Sequence, residues 1–234
     1  ALYEQGDYLL YETQDHGITI LTDTTERAPT FSLLSFENQN NPAHQPALSY
    51  LYLPAAQTPL EAWQKILLRD PVTIEWDELR EIAGRTRLMG FDFSAKAQDQ
   101  RCALVAPKEV HVFKIIKQGD QLRFTLDGLV ADVDVAGLHP LLEHLLLKIV
   151  LNMHSTLVMG RLGRFESNVM TWVKPSNKKL IDRAIRHVQH LIEKEGGNRF
   201  SYADICHQLF AEAEAMRPEE SVVLRTLASL RKKA

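Results

Sequence analysis

The stretch Ala47-Leu-Ser-Tyr-Leu-Tyr-Leu-Pro-Ala-Ala-Gln-Thr-Pro-Leu-Glu-Ala-Trp-Gln-Lys-Ile-Leu67 decides the fold class. From Ala47 to Leu53 it is almost continuously apolar and aromatic, the pattern of a strand covered on both faces in a parallel sheet. Pro54 ends it. Thr58 then stands before Pro59 and three residues before Glu61, an N-cap followed by a first-turn proline and a capping-box partner. Leu60, Trp63, Ile66 and Leu67 share one face of the predicted helix. A second helix is predicted over Glu75 to Ala83 and a further strand over Leu88 to Phe93, and alternating strands and helices predict an α/β sheet.

Upstream, Tyr8 to Tyr11 and Ile18 to Leu21 flank the polar Gln14-Asp15-His16-Gly17, which reads as strand, turn, strand. Thr22 to Thr30 reads as a hydroxyl-rich loop, and Asn38 to Pro46 as a surface loop. Downstream, Val110 to Ile116 and Leu122 to Val130 predict a hairpin, with Leu122, Phe124 and Leu126 alternating with polar residues. From Gly137 the pattern is helical to about Leu162. It is apolar nearly all round, which predicts a central place in the packing, with Gly160 and Gly163 as its stop. Asn168 to Val173 is a short extended piece. Ile181, Ala184, Ile185, Val188, Leu191 and Ile192 then mark a helix stopped by Gly196-Gly197. Ser201 with Asp204 opens another helix to about Met216, and Pro218 to about Leu230 makes the last.

Composition narrows the function classes. Of 234 residues 45% are apolar and 24% charged, with 27 Lys plus Arg against 30 Asp plus Glu and a net charge of −3, which is globular rather than disordered. Without a basic excess, a nucleic-acid platform is not expected. Cys102 and Cys206 fit neither a disulfide framework nor a metal site, so free, mostly buried thiols in the reducing cytoplasm are expected. Leu141 to Met159 is interrupted by Glu143, His144, Lys148, Asn152 and His154, so no membrane anchor is expected there. The chain opens on Ala1 without a basic and apolar leader, which points to a segment of something longer.

Chemistry-bearing motifs are few. The nine histidines form no HxxxH or HExxH pair, and there is no GxSxG elbow, P-loop or GxGxxG, so neither a metal nor a cofactor is called for. Lys174 to Arg183 says more. Ser176 or Asn177 is a good N-cap, but Lys178 and Lys179 follow in the first turn, where the helix dipole disfavours cations unless an anion sits nearby. Local compensation by Asp182 is the simpler reading. Thr22, Thr24, Thr25 and Thr30 hold a weaker hint of the same kind, since short hydroxyls can hold phosphate or sugar oxygens or simply satisfy their own backbone.

The stretch Lys148-Ile-Val-Leu-Asn-Met-His-Ser-Thr-Leu-Val-Met-Gly-Arg-Leu-Gly163 closely resembles the end of the sugar isomerase (SIS) domain of N-acetylmuramic acid 6-phosphate etherases. The resemblance continues through Asn168-Val169-Met170 and Lys174-Pro-Ser-Asn-Lys-Lys-Leu-Ile-Asp-Arg-Ala184, a segment shared more loosely with the glucokinase regulatory protein. Together these cover about forty residues. Thr24 to Phe31 is similar to a segment of larger bacterial relatives of that superfamily. The resemblance implies a three-layer α/β/α sandwich around a mostly parallel sheet, and the β-hairpin, at about 107–135, is an insertion with no match in the family. It also implies a domain boundary near 177/178, with 1–177 binding the phosphosugar and 178–234 forming a helical subdomain. By the same resemblance Asn177 and Lys179 approach a sugar phosphate, with Ser176, Thr24 and Thr25 as further candidates.

Departures from the family pattern bear on activity. Gly137 to His144 stands where the etherases carry a Gly-Ser-Thr-Arg-Met-Lys type segment, and neither a glycine- and serine-rich loop nor the acid/base glutamate segments are present. Glu26, Glu143 and Glu166 lack the family's context. The expectation is therefore a degenerate, non-catalytic phosphosugar-binding domain that partners a second copy or a missing N-terminal SIS half. Were the whole protein an enzyme, it would be a carbon–oxygen lyase with its catalytic residues outside this chain. A regulatory module, or one that only dimerises, is the alternative.

Overall fold

The computed structural model describes residues 2–41, 45–196, 200–217 and 220–233. In chain order the elements are α1 (Leu2–Gln5), β1 (Tyr8–Thr13), α2 (Gly17–Thr30), β2 (Ser49–Tyr52), α3 (Pro59–Leu67), α4 (Arg80–Ala83), α5 (Arg85–Met89) and α6 (Lys96–Val105). They continue with β3 (Val110–Gln118), β4 (Gln121–Leu126), β5 (Leu129–Asp134), α7 (Pro140–Arg161), β6 (Phe165–Glu166), β7 (Val169–Met170), α8 (Lys178–Lys194), α9 (Tyr202–Ala215) and α10 (Val222–Arg231). The chain divides into two compact units, 1–25 with 34–153 and 26–33 with 154–234. The expected boundary at 177/178 falls inside the second of these.

The first unit is an α/β sandwich. Its five strands run in the order β2-β1-β3-β4-β5, with the first three parallel and the last two antiparallel to their neighbours. Leu9 to Thr13 of β1 are all buried. Since successive side chains point to opposite faces, that part of the sheet is covered on both sides, as the apolar reading of β2 required. Ile20 of α2, Ala62, Trp63 and Ile66 of α3, Ala97 of α6 and Leu147 and Leu151 of α7 complete the core. Helix α3 starts as the sequence predicts: Thr58 accepts from the Glu61 N–H, and Glu61 reaches back to the N–H of Gln57.

Several expectations change. Ile18 to Thr30 is helix, not strand and loop, because Ile20, Asp23, Ala28 and Phe31 are buried at helical spacing. The Leu88 to Phe93 strand is absent. Asn38 is buried there, and its amide and that of Asn40 bond Arg87 and Thr86 carbonyls; Gly90 leaves no room for a side chain against Asn38. Within Asn38 to Pro46, residues 42–44 lie outside the described set, as do Gly197 and Pro218. The helix predicted from Glu75 is reduced to α4.

The hairpin is no appendage, since β3 pairs in parallel with β1 from Tyr8↔Val110 to Thr13↔Ile115. The run from Leu122 to Val130 breaks at Asp127-Gly128, both at positive φ, the requirement of a two-residue turn of type I′. Cys102 is exposed and Cys206 half-buried rather than buried, and both are free.

Helix α7 departs from expectation in burial. Glu143, Leu147 and Leu151 face inward, whereas Leu141, Leu142, Leu145, Ile149 and Met153 are exposed. By length and composition α7 could cross a membrane. Its inner face nevertheless belongs to the core of the sheet.

Helix α6 was not expected at all. Its inward positions are Ala97, Arg101 and Val105, so an arginine interrupts the apolar pattern. The Arg101 guanidinium bonds Glu37 and the Ala47 carbonyl, and lies 5.5 Å from the Tyr8 ring centroid and 5.3 Å from that of Tyr50. Burial pushes its pKa down to about 10, still far above neutral.

In the second unit the short β6–β7 hairpin precedes helices α8, α9 and α10. Helices α8, α9 and α10 share a core of Leu180, Ala184, Ile185, Val188, Leu191, Ile205, Leu209, Val223 and Leu227. Ser201 and Asp204 form a reciprocal capping box on α9, and Ser221 caps α10.

Breaking the Arg101–Glu37 pair from one side leaves a buried, uncompensated carboxylate, which costs about 3–5 kcal/mol. Arg101→Met is therefore expected to lower unfolding stability in urea by that amount, and adding Glu37→Gln to recover part of it. A loss below about 1 kcal/mol in the single variant would show that the pair does not hold α6 against β2.

Candidate functional site

Helix α8 begins with Asn177 as N-cap in extended conformation (φ −153°, ψ 168°), its Oδ1 accepting from the Leu180 N–H at 3.0 Å. Leu180 is buried and anchors this turn, while the Lys174 N–H donates to the Pro29 carbonyl at 3.0 Å. Ser176, Asn177, Lys178 and Lys179 are all exposed. The first turn contains no acidic residue. Asp182, the expected compensator, instead accepts from Arg186 Nε at 2.8 Å and from the Tyr202 hydroxyl at 3.0 Å, bonds that hold its carboxyl below the usual range.

Ser176, Asn177 and Lys179 thus stand together at the positive end of a helix dipole whose first N–H groups have no partner within the helix. Because Asn177 caps through its oxygen, its Nδ2 group remains a donor. The arrangement can hold an anion.

Thr24 and Thr25 are differently placed. They belong to the sheet-bearing unit, within α2, where the Thr24 hydroxyl donates to the Ile20 carbonyl at 2.7 Å and that of Thr25 to the Leu21 carbonyl at 2.6 Å. These protons are committed to the helix backbone.

A second polar cluster, which sequence reasoning missed, lies where the parallel strands end. The turn after β1 carries His16, 2% exposed, whose Nε2 is 2.6 Å from Glu143 Oε1. Lys117, near the end of β3, donates to the other Glu143 oxygen. Thr13 Oγ1 donates to the Ile115 carbonyl at 2.9 Å and accepts from the His16 N–H. Beside it, Thr19 Oγ1 is 2.7 Å from His144 Nδ1, and the His16 and His144 rings are 5.1 Å apart. Further along α7, Lys148 pairs with the buried Asp23 at 3.2 Å.

Burial alone would raise the Glu143 pKa, but hydrogen bonds from Lys117 and His16, together with their charges, bring it below the usual range. Burial and the neighbouring His16 lower that of His144. Both Glu143 oxygens are engaged and the group is 5% exposed, so the cluster fastens α7 to β3 and to the start of α2. The signal was present in the sequence: a Glu-His pair inside an apolar helix must find partners when buried.

A cavity of about 230 Å³ opens elsewhere in the same unit, lined by Glu37, Gln39, Tyr50, Ala97, Gln100, Arg101 and Leu104. Its one cation, Arg101, is already neutralised by Glu37.

No protein-family model matches the chain. Part of it matches N-acetylmuramic acid 6-phosphate etherases. The chain is 52% identical over 50 residues to the etherase of Clostridium acetobutylicum, a match covering 20% of this chain and 17% of that protein. Identity to the etherase of Lactobacillus gasseri is 57% over 42 residues, 18% of this chain and 14% of the relative. The etherase of Staphylococcus saprophyticus is 46% identical over 46 residues, 20% and 16% respectively. The matched stretch thus spans less than a fifth of each relative's length.

A carboxylate with a lowered folded pKa stabilises above its unfolded pKa, about 4.3 for glutamate, and that stability is lost as pH falls through the folded value. Wild type should therefore exceed Glu143→Gln in stability at pH 7, with the difference shrinking towards zero below about pH 4. Urea unfolding of both proteins between pH 7 and pH 3 checks this, and a difference independent of pH would contradict it.

Proposed function

We propose that the chain is an SIS-like module that binds a sugar phosphate, of amino-sugar or hexose type, at the start of α8. The observation that carries this reading is the α8 first turn, with two exposed lysines, no acid, and Asp182 engaged elsewhere. The local matches to enzymes named for N-acetylmuramic acid 6-phosphate support the ligand class.

In this reading the Lys179 ammonium meets the phosphate, the Asn177 Nδ2 group donates to a phosphate or sugar oxygen, and Ser176 adds a hydroxyl. Thr24 and Thr25 take no part as donors, because their hydroxyl protons are already committed.

The module binds rather than catalyses. Glu143, one of the glutamates that could serve as acid or base, has both oxygens bonded and is buried. A lyase reaction in a larger etherase-like protein would then draw its acid and base from outside these 234 residues. Two unpaired cysteines fit a cytoplasmic setting. The alternative of a regulatory or dimerising module without catalysis draws on the exposed apolar face of α7.

Ligand that binds only the folded state raises its melting temperature. N-acetylmuramic acid 6-phosphate, N-acetylglucosamine 6-phosphate, fructose 6-phosphate and inorganic phosphate are the probes. A sugar phosphate is expected to raise the melting temperature, with Lys179→Ala weakening apparent affinity at least tenfold, about 1.4 kcal/mol. No shift with any probe, or an equal shift in the variant, would overturn the reading.

A further inference from the structure

The outer edge of the five-stranded sheet is β5, and among the described residues no strand lies beyond it. The Val135 N–H donates to the Asp120 carbonyl at 2.8 Å, one position past the Gln121↔Asp134 pair. Bonded and non-bonded pairs alternate along an antiparallel ladder, so Leu122↔Val133, Phe124↔Ala131 and Leu126↔Leu129 are the bonded ones. Val130, Asp132 and Asp134 lie between them. Their N–H and C=O groups therefore point away from β4, an open row of donors and acceptors on a strand about 20 Å long.

The usual protections of such an edge are missing. Strand β5 contains neither proline nor lysine, and its register with β4 runs without a bulge. Asp132 is tied back across the hairpin, its two oxygens accepting from Arg123 Nε at 2.8 Å and Nη2 at 2.9 Å. The opposite edge strand, β2, is buried from Tyr50 to Tyr52, whereas Leu129 is 73% and Val130 60% exposed.

We propose that β5 takes up an added strand, an extended segment of another protein in which basic and aliphatic residues alternate. The two faces of β5 dictate that pattern. Leu129, Ala131 and Val133 share the face on which Leu122 and Phe124 are buried, so every second residue of an incoming strand continues an apolar face. Val130, Asp132 and Asp134 share the other face, where the intervening residues of that strand meet carboxylates. From Gly119 to Ala136 the chain holds Asp120, Asp127, Asp132 and Asp134 against the single cation Arg123, a net charge of −3 that leaves the rest of the chain balanced. Charge complementarity thus favours a basic partner. A second copy of β5 fits the edge less well, since it brings two further aspartates and no cation.

The probe is a fluorescein-labelled peptide in which lysine and valine alternate over six residues, and its anisotropy is titrated with the full chain. Binding is expected at a dissociation constant of about 100 µM or below, and about tenfold more weakly for a peptide of alternating glutamate and valine. Bound peptide should slow amide hydrogen exchange at Val130, Asp132 and Asp134 and leave it unchanged at Ala131 and Val133. Val130→Pro removes one outward donor at a position where an edge strand tolerates proline, and should weaken binding about fivefold with the circular dichroism unchanged. Asp134→Asn, which keeps an oxygen to accept from the Ala136 N–H, should weaken it about threefold and serves if the proline variant fails to fold. No binding at about 1 mM, equal affinity for the acidic peptide, or binding without slowed exchange at those amides would overturn the proposal. So would exchange at the same amides that slows with rising protein concentration in the absence of peptide, the mark of a second copy on the edge.

Discussion

A carboxylate buried on an apolar helix has to be paired, and at Glu143 the two partners come from different elements: His16 from the turn after β1 and Lys117 from β3. This constraint fixes which side of α7 faces the sheet. Leu147 and Leu151, one and two turns further along, then reach the core, and the leucines on the opposite side are left outside. The same choice brings His144 beside Thr19 and Lys148 beside Asp23, so the first part of α2 is joined to the first part of α7 by polar pairs. Rotating α7 to bury the outer stripe would strip Glu143 of both partners. The exposed apolar face therefore follows from the buried charge, and an isolated chain cannot cover it by turning the helix.

Where backbone rules act locally, the sequence was readable. Thr58-Pro59 opens α3, Asn177 opens α8 and the Ser201–Asp204 pair opens α9, each as its residues predict. The buried strand β2 was legible from its unbroken apolar run. What failed depended on polar groups turned inward. Helix α6 hides behind Arg101, whose burial depends on Glu37, far away in sequence. Helix α2 reads as a strand and a loop because threonine favours both, yet its hydroxyls donate to carbonyls one turn back and the helix survives. Asp127-Gly128 carried the turn signal that splits β4 from β5, hidden inside a run of extended residues.

The candidate ligand site shows the same division. Asn177 and Lys179 could be singled out because a lysine pair at a helix start is locally unfavourable. That Asp182 does not relieve it became visible only with Arg186 and Tyr202 in place. Conversely, a glutamate that sequence alone leaves open for acid or base work is structural once both its oxygens are accounted for. The two polar features thus divide their roles, one exposed at the start of α8, the other a carboxylate buried on α7 with both oxygens bonded.

The most direct measurement of this account is a double-mutant cycle between His16 and Glu143, with His16→Leu, Glu143→Leu and the double variant unfolded in urea at one fixed protein concentration. If the buried pair sets the placement of α7, each single change strands a polar partner, and the double variant should be more stable than the sum of the two predicts by about 1–3 kcal/mol. Additivity within about 0.5 kcal/mol would contradict it, and the orientation of α7 would then rest on apolar packing alone.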